Sequence, residues 1–301
     1  MSVHLSSSID KLIAGSWTTC QPPSHSPPHT PETSGSVPIG TSRDTGSVPL
    51  WARLGGWGRL VLAASIICVL GSVPVSAASL TIAAAADISA AESDLTSSFH
   101  KTYPSDTVRF VFAASGALAQ QIANGAPYDV FLSANEAFVD QLASTRKILP
   151  DTDIAYALGR VGVLWRDGKA HPLNDLTTDL VRFVAIANPK LAPYGLAAEQ
   201  VLRHEKLWNK LGAKIVFGEN VRQTLQLFDS GNADAVLTSY SLINNRPGAA
   251  IVPDEWHQPI RQKAGVVASS ANQKLARKFL AFLQGPRGSE ILVKHGLTPV
   301  H

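Results

Sequence analysis

The chain has 301 residues, 45% of them hydrophobic and 16% charged, which is enough apolar material for one or two folded lobes. A formal net charge of +3, mild and scattered, argues against a nucleic-acid surface. Both cysteines, Cys20 and Cys68, precede residue 79, so the rest of the chain contains no disulfide, thiol nucleophile or thiolate metal site.

Residues 1–50 read as a disordered low-complexity extension, because the stretch 18–49 is rich in Ser, Thr, Pro and Gly and lacks apolar periodicity. Residues 51–77 have the order of a secretory signal peptide: Arg53 and Arg59, an apolar run from Leu60 to Leu70, then Val75-Ser76-Ala77, with cleavage near Ala77. That run is shorter than the roughly 20 residues needed to span a bilayer. Ile67, directly before Cys68, is not the small residue expected ahead of a lipidated cysteine.

From Leu80 onward apolar runs alternate with helix-period segments, the pattern of an α/β fold. Leu80 to Ala86 reads as a buried strand, and Ile88, Ala91, Leu95 and Phe99 place one apolar stripe on the next helix. Val108 to Ala113 and Asp129 to Leu132 are further strands, separated by a helix marked by Leu118 and Ile122 and closed at Asn124-Gly125. A second set has strands at Val161 to Trp165, Phe183 to Ala187, Lys214 to Phe217 and Ala235 to Thr238. Its helices are expected over about Leu196 to Leu211 and Val221 to Ser230, the latter stopped by Gly231. A Pro-punctuated stretch near Ile251 precedes two C-terminal helices, about Asn272 to Leu283 and Pro286 to Lys294. Two sets imply two lobes: lobe I from 79–157 plus 250–301, and lobe II from 158–249.

Four strand-to-helix junctions carry small or polar residues where backbone N–H groups converge and an oxyanion can be held. In the first, Asp87 stands between a strand and a helix, an N-cap position. The second, Ala114-Ser115-Gly116-Ala117, offers a hydroxyl and an open glycine. The third, Asn188 to Gly195, is a rigid turn delivering Tyr194, whose phenol donates to an anion without bringing charge. In the fourth, Asn220 caps a helix and leaves the Val221 and Arg222 N–H groups free, and Thr238 ends the following strand. Each junction alone is also an ordinary cap, and Arg222 also reads as a solvated helix arginine. The nine histidines form no close-spaced ligand pair, and no Gly-x-Ser-x-Gly elbow, P-loop or GxGxxG follows a strand.

The segments AAAADIS (83–89), AASGALAQQIANGAPYDVFLSAN (113–135), NPKLAPYGLAA (188–198) and GENVRQTLQLFDSGNADAVLTS (218–239) resemble the periplasmic molybdate-binding proteins of ABC importers. The resemblance runs from about Ser79 to Pro299. It implies a two-lobed, type II periplasmic-binding-protein fold, each lobe a mostly parallel sheet flanked by helices, with the ligand in the interlobe cleft. It further implies an exported, periplasmic, non-enzymatic monomer that captures molybdate, and tungstate too, without a cofactor, and delivers it to an inner-membrane permease and its ATPase. The ligand contacts it implies are Ala86, Asp87, Ser115, Tyr194, Val221 through its N–H, and Thr238, with no direct bond to the metal.

Asp87 departs from the pattern, since relatives often carry Ser or Asn there and an ionised carboxylate facing a dianion in a dry cleft repels it. The expectation is that its side chain turns away to cap its own helix, leaving a backbone N–H for the anion. Alternatives remain: the same fold with sulfate, another oxyanion or an organic anion as ligand; a secreted hydrolase using Asp87, Ser115 and Tyr194, though no general base is recognisable beside Ser115; or a ligand-sensing module.

Overall fold

The computed structural model describes residues 78–300. The extension expected over 1–50, the signal peptide expected over 51–77 and both cysteines lie outside the described residues.

The first lobe opens with β1 (Ser79–Ala85), a 3-10 turn (Ala86–Ala91) and α1 (Glu92–Thr102). It continues through β2 (Thr107–Ala113), α2 (Ser115–Ala123), β3 (Val130–Ser133), α3 (Glu136–Ser144) and β4 (Ile154–Gly159). Arg160 alone separates β4 from β5 (Val161–Trp165), which belongs to the second lobe. There follow β6 (Val184–Ala187), α4 (Pro193–His204), α5 (Trp208–Leu211), β7 (Ile215–Gly218), α6 (Val221–Asp229), β8 (Ala235–Ser239) and β9 (Ala250–Ile251). The chain then returns through β10 (Ile260–Val266), α7 (Gln273–Gln284), α8 (Pro286–Lys294) and β11 (Thr298–Pro299).

The two sheets have strand orders β11-β4-β10-β3-β1-β2 and β7-β6-β8-β5-β9. In the first, β1 lies parallel between β2 and β3, while β10 runs antiparallel to both β3 and β4. In the second, β6 lies parallel between β7 and β8, and β5 is antiparallel to β8 and β9. The sheets are therefore mixed where mostly parallel ones are expected. The reason is topological: strands entering from the other lobe are not joined to their neighbours by a crossover helix, so they need not run parallel. The expected return to lobe I at residue 250 comes later, because Ala250–Ile251 still pairs with β5 of the second sheet.

Both faces of each sheet are covered, which is why the parallel strands read as unbroken apolar runs. In lobe I, α1, α7 and α8 pack over one face around Phe99 and Phe279, whose rings meet edge to face at 5.4 Å. On the other face α2 and α3 enclose Leu118, Phe131 and Val139. In lobe II, α4 supplies Val201 and Leu202 to one core and α6 supplies Phe228 to the other.

The helix expected over Leu196 to Leu211 is two helices. Pro193 starts α4 earlier, since its missing N–H and fixed φ suit a first turn. Lys206, at φ 60°, breaks the chain before α5.

Gly195 lets α4 begin directly against the end of β6: a methyl group there would collide with the Ala187 carbonyl. Gly195→Ala is accordingly expected to destabilise the protein by about 1–3 kcal/mol, as overpacking does. A lowered urea midpoint with an unchanged m-value is the outcome that checks it.

Candidate functional site

The four junctions meet in one narrow cleft between the lobes, lined by Ala86, Asp87, Ser115, Tyr194, Asn220, Val221 and several small residues. Ala85, Ala113, Ala114, Ala134 and Ala192 supply most of the remaining wall, so backbone approaches the space closely. Of the six ligand contacts that the resemblance implies, five line this cleft.

Ser115 opens α2 and is fully buried; its Oγ accepts the Ala134 N–H at 3.0 Å, which leaves its own proton available to donate. No side chain caps α2, and the next amide, Gly116 N–H, reaches across to the Leu191 carbonyl of lobe II at 3.0 Å. Asn220 caps α6 by accepting the Arg222 and Gln223 N–H groups at 3.0 and 3.1 Å. The Arg222 amide, expected to be free, is thus taken, whereas the Val221 N–H has no acceptor among the described residues. The Arg222 guanidinium itself lies over the Phe112 ring of lobe I, 5.4 Å from its centroid.

Thr238 is the residue the fold does not bring to the cleft. It sits behind α6, fully buried, and donates its hydroxyl to the Val221 carbonyl at 3.3 Å. The cause is strand alternation: successive side chains of β8 point to opposite faces, so Thr238 turns under α6 while Ser239 faces the other way and bonds Ser241 beside the Tyr194 cluster.

Asp87 also departs from expectation. It makes no capping bond to its own helical turn. Its Oδ2 accepts the Tyr194 hydroxyl at 3.0 Å and Gln262 Nε2 at 2.5 Å, and Gln262 Nε2 also reaches the Tyr194 oxygen at 3.1 Å. The carboxylate therefore bonds across the lobes: Tyr194 comes from α4, Asp87 from the turn after β1, and Gln262 from β10. Ser241 adds a fourth link, donating to the Asp87 backbone carbonyl at 2.7 Å. A side chain at Gly159 would displace the Tyr194 hydroxyl, so the last residue of β4 is a glycine that makes room for the cluster.

This environment is dry. Asp87 is 1% exposed, its Oδ1 has no hydrogen-bond partner, and no Lys, Arg or His among the described residues forms an ion pair with it. Burial raises its pKa from 3.8 to about 6, offset in part by Gln262, Tyr194 and the nearby amides of Asp87 and Ile88, which stabilise the ionised form. Burial, with the neighbouring carboxylate, likewise pushes the Tyr194 phenol well above its ordinary value, so it stays a donor.

Gln262 was not singled out from the sequence, although a signal exists. Ile260, Gln262, Ala264 and Val266 share the inward face of β10, and an amide on such a face needs a partner.

Between pH 3.8 and 6 the native state retains a proton on Asp87 that the unfolded chain has lost, so this group's contribution to stability falls as pH rises through that window. At about 1.4 kcal/mol per pKa unit the loss is roughly 3 kcal/mol. Asp87→Asn is expected to remove it. Urea unfolding of both proteins at pH 4 and pH 7 should show wild type losing stability relative to the variant as pH rises.

Comparison with known proteins agrees with this architecture. The family model for bacterial extracellular solute-binding proteins matches residues 80–298. A molybdate-binding protein of Rhodobacter capsulatus is 33% identical over 242 residues, covering 78% of this chain and 94% of that protein. The solved periplasmic molybdate-binding protein of Azotobacter vinelandii superposes with a TM-score of 0.69 at 31% identity, covering 74% of this chain and all of that one. A sulfate-binding protein of Mycobacterium tuberculosis, 17% identical with a TM-score of 0.62 over 74% of this chain and 87% of its own, shares the fold. The two-sheet α/β architecture is thus shared with these proteins, and the chain belongs to the bacterial extracellular solute-binding protein family.

Proposed function

We propose that this chain is an exported substrate-binding protein that captures molybdate, and tungstate as well, and passes it to an ABC permease driven by a cytoplasmic ATPase. The observation that carries the reading is the convergence of the Ser115 hydroxyl and the Val221 N–H on one narrow cleft between the lobes, with the Tyr194 phenol on its wall bonded to Asp87. Hydroxyl and amide donors suit a fully deprotonated tetrahedral oxyanion, which can only accept hydrogen bonds. The naming of the Rhodobacter and Azotobacter relatives supports the same ligand.

The function is binding, with no bond broken. Ser115 Oγ accepts the Ala134 N–H, and among the described residues it makes no hydrogen bond to a basic side chain, so in this reading the hydroxyl acts as a donor to the anion. In this reading the lobes close around the anion, Ala86, Asp87, Ser115, Tyr194 and Val221 surround it, and the closed form is the one the permease recognises. Delivery of the chain outside the cytoplasm rests on the sequence of residues 51–77. No helix among the described residues is long and apolar enough to cross a membrane.

Titration of the purified protein with molybdate, tungstate, sulfate and phosphate tests the assignment. Molybdate and tungstate are expected to raise the unfolding temperature progressively with concentration; no shift with either sinks it. Ser115→Ala, which deletes a donor to a charged ligand, is expected to weaken molybdate binding by roughly tenfold to a hundredfold. Thr238→Val, which alters a residue behind α6, is expected to leave the affinity unchanged in the same calorimetric titration.

A further inference from the structure

Asp87 brings a carboxylate to a cleft whose other polar groups are suited to donate. Its Oδ2 is committed to Tyr194 and Gln262, while Oδ1 is buried and has no partner. A divalent anion in this space would stand beside an ionised carboxylate with little solvent between them, and two like charges in a dry site repel strongly. A proton on Oδ1 removes the repulsion, gives the orphaned atom a partner and turns that acceptor into one more donor.

Resting on the molybdate reading above, we propose that Asp87 makes anion capture proton-linked: each dianion enters together with one proton from solvent, held between Asp87 Oδ1 and an oxygen of the anion. The balance is simple. An ionised carboxylate, one proton and one dianion become a neutral carboxyl donating to the bound dianion, and no bond to the central atom forms or breaks.

The surroundings allow Asp87 to serve as the titrating group. From α4 it faces the Tyr194 phenol, from β4 the Tyr156 phenol, from β10 the neutral Gln262 amide, and from the turn after β8 the Ser241 hydroxyl through its own backbone carbonyl. Both phenols are pushed well above their ordinary range by burial and stay neutral. No cationic side chain among the described residues pairs with the carboxylate to hold it ionised. Burial has already raised the carboxyl to about 6 before any anion arrives, so the proton is within easy reach near neutral pH.

The sign of the effect follows from linkage. Below about pH 6 Asp87 already carries its proton and affinity is flat; above it, each dianion must bring one in. The molybdate association constant is then expected to fall about tenfold per pH unit between pH 6.5 and 8.

Calorimetric titration of the full protein with sodium molybdate at pH 7.5, in buffers of different ionisation enthalpy, counts the protons directly. Uptake of about one proton per anion is expected for wild type. Asp87→Asn and Asp87→Ser are each expected to reduce the uptake to near zero and to flatten affinity against pH. Molybdate binding without proton uptake in wild type overturns the inference and leaves the proposed function standing, as does undiminished uptake in a folded Asp87 variant. Absence of binding by molybdate and tungstate at every pH overturns the functional reading and the proton linkage with it. The wild-type count needs no variant, so it decides the matter even if both substitutions prevent folding.

Discussion

The structure depends on a buried hydrogen-bonded contact among three side chains, Asp87, Tyr194 and Gln262, that joins the two sheets at the cleft. Each lobe has its own covered sheet and its own aromatic or aliphatic core, and each is explicable from its own strand and helix periodicity. The cleft is not. It exists because the phenol of one lobe meets a carboxylate of the other with an amide from a crossing strand between them. Such a contact is costly to bury and specific in geometry, which makes it effective at defining one interlobe arrangement while giving little net stability.

Around that contact the cleft is shaped mainly by what is missing. The alanine wall carries no long side chains, Gly159 leaves room for the Tyr194 hydroxyl, and Gly195 lets α4 start hard against β6. Short residues bring helix starts close enough together for backbone amides to point into a common space. Charge is spent sparingly in the same way: Arg222, in the first turn of α6, lies over the Phe112 ring instead of in the cleft.

Much of this was legible in the sequence, and the limits have physical causes. Strands buried on both faces, such as β1 and β8, announce themselves as apolar runs, and α6 is bounded by Asn220 and Gly231, a cap and a stop. The strands β4 and β10 are less visible because one face of each is partly exposed and their pairing is between distant segments. Asp87 was recognisable as the anomalous residue. Its orientation was not, because local capping is read from neighbours whereas its partners lie 107 and 175 positions away. Thr238 illustrates the converse: its place at a strand end suggested a ligand contact, but only the tertiary packing of α6 over that face of β8 reveals that it is covered. The parallel character of the sheets was overestimated for the same reason, since strand direction depends on how the chain changes lobes.

The single residue between β4 and β5 has a mechanical meaning. Together with the second crossing, residues 252–259 between β9 and β10, it forms the spine of a book whose covers are the two sheets, and Gly159 beside it packs against the Tyr194 hydroxyl. In a rotation about a spine, displacement grows with distance from the axis. The buried cluster thus has a short lever arm and is disturbed little at small angles, whereas the outer rim separates early. A gap wide enough for a small ion and its water can open at the rim while the inner contact still keeps the two sheets aligned, so arrival of the ion and commitment of the lobes are separable events in one continuous motion.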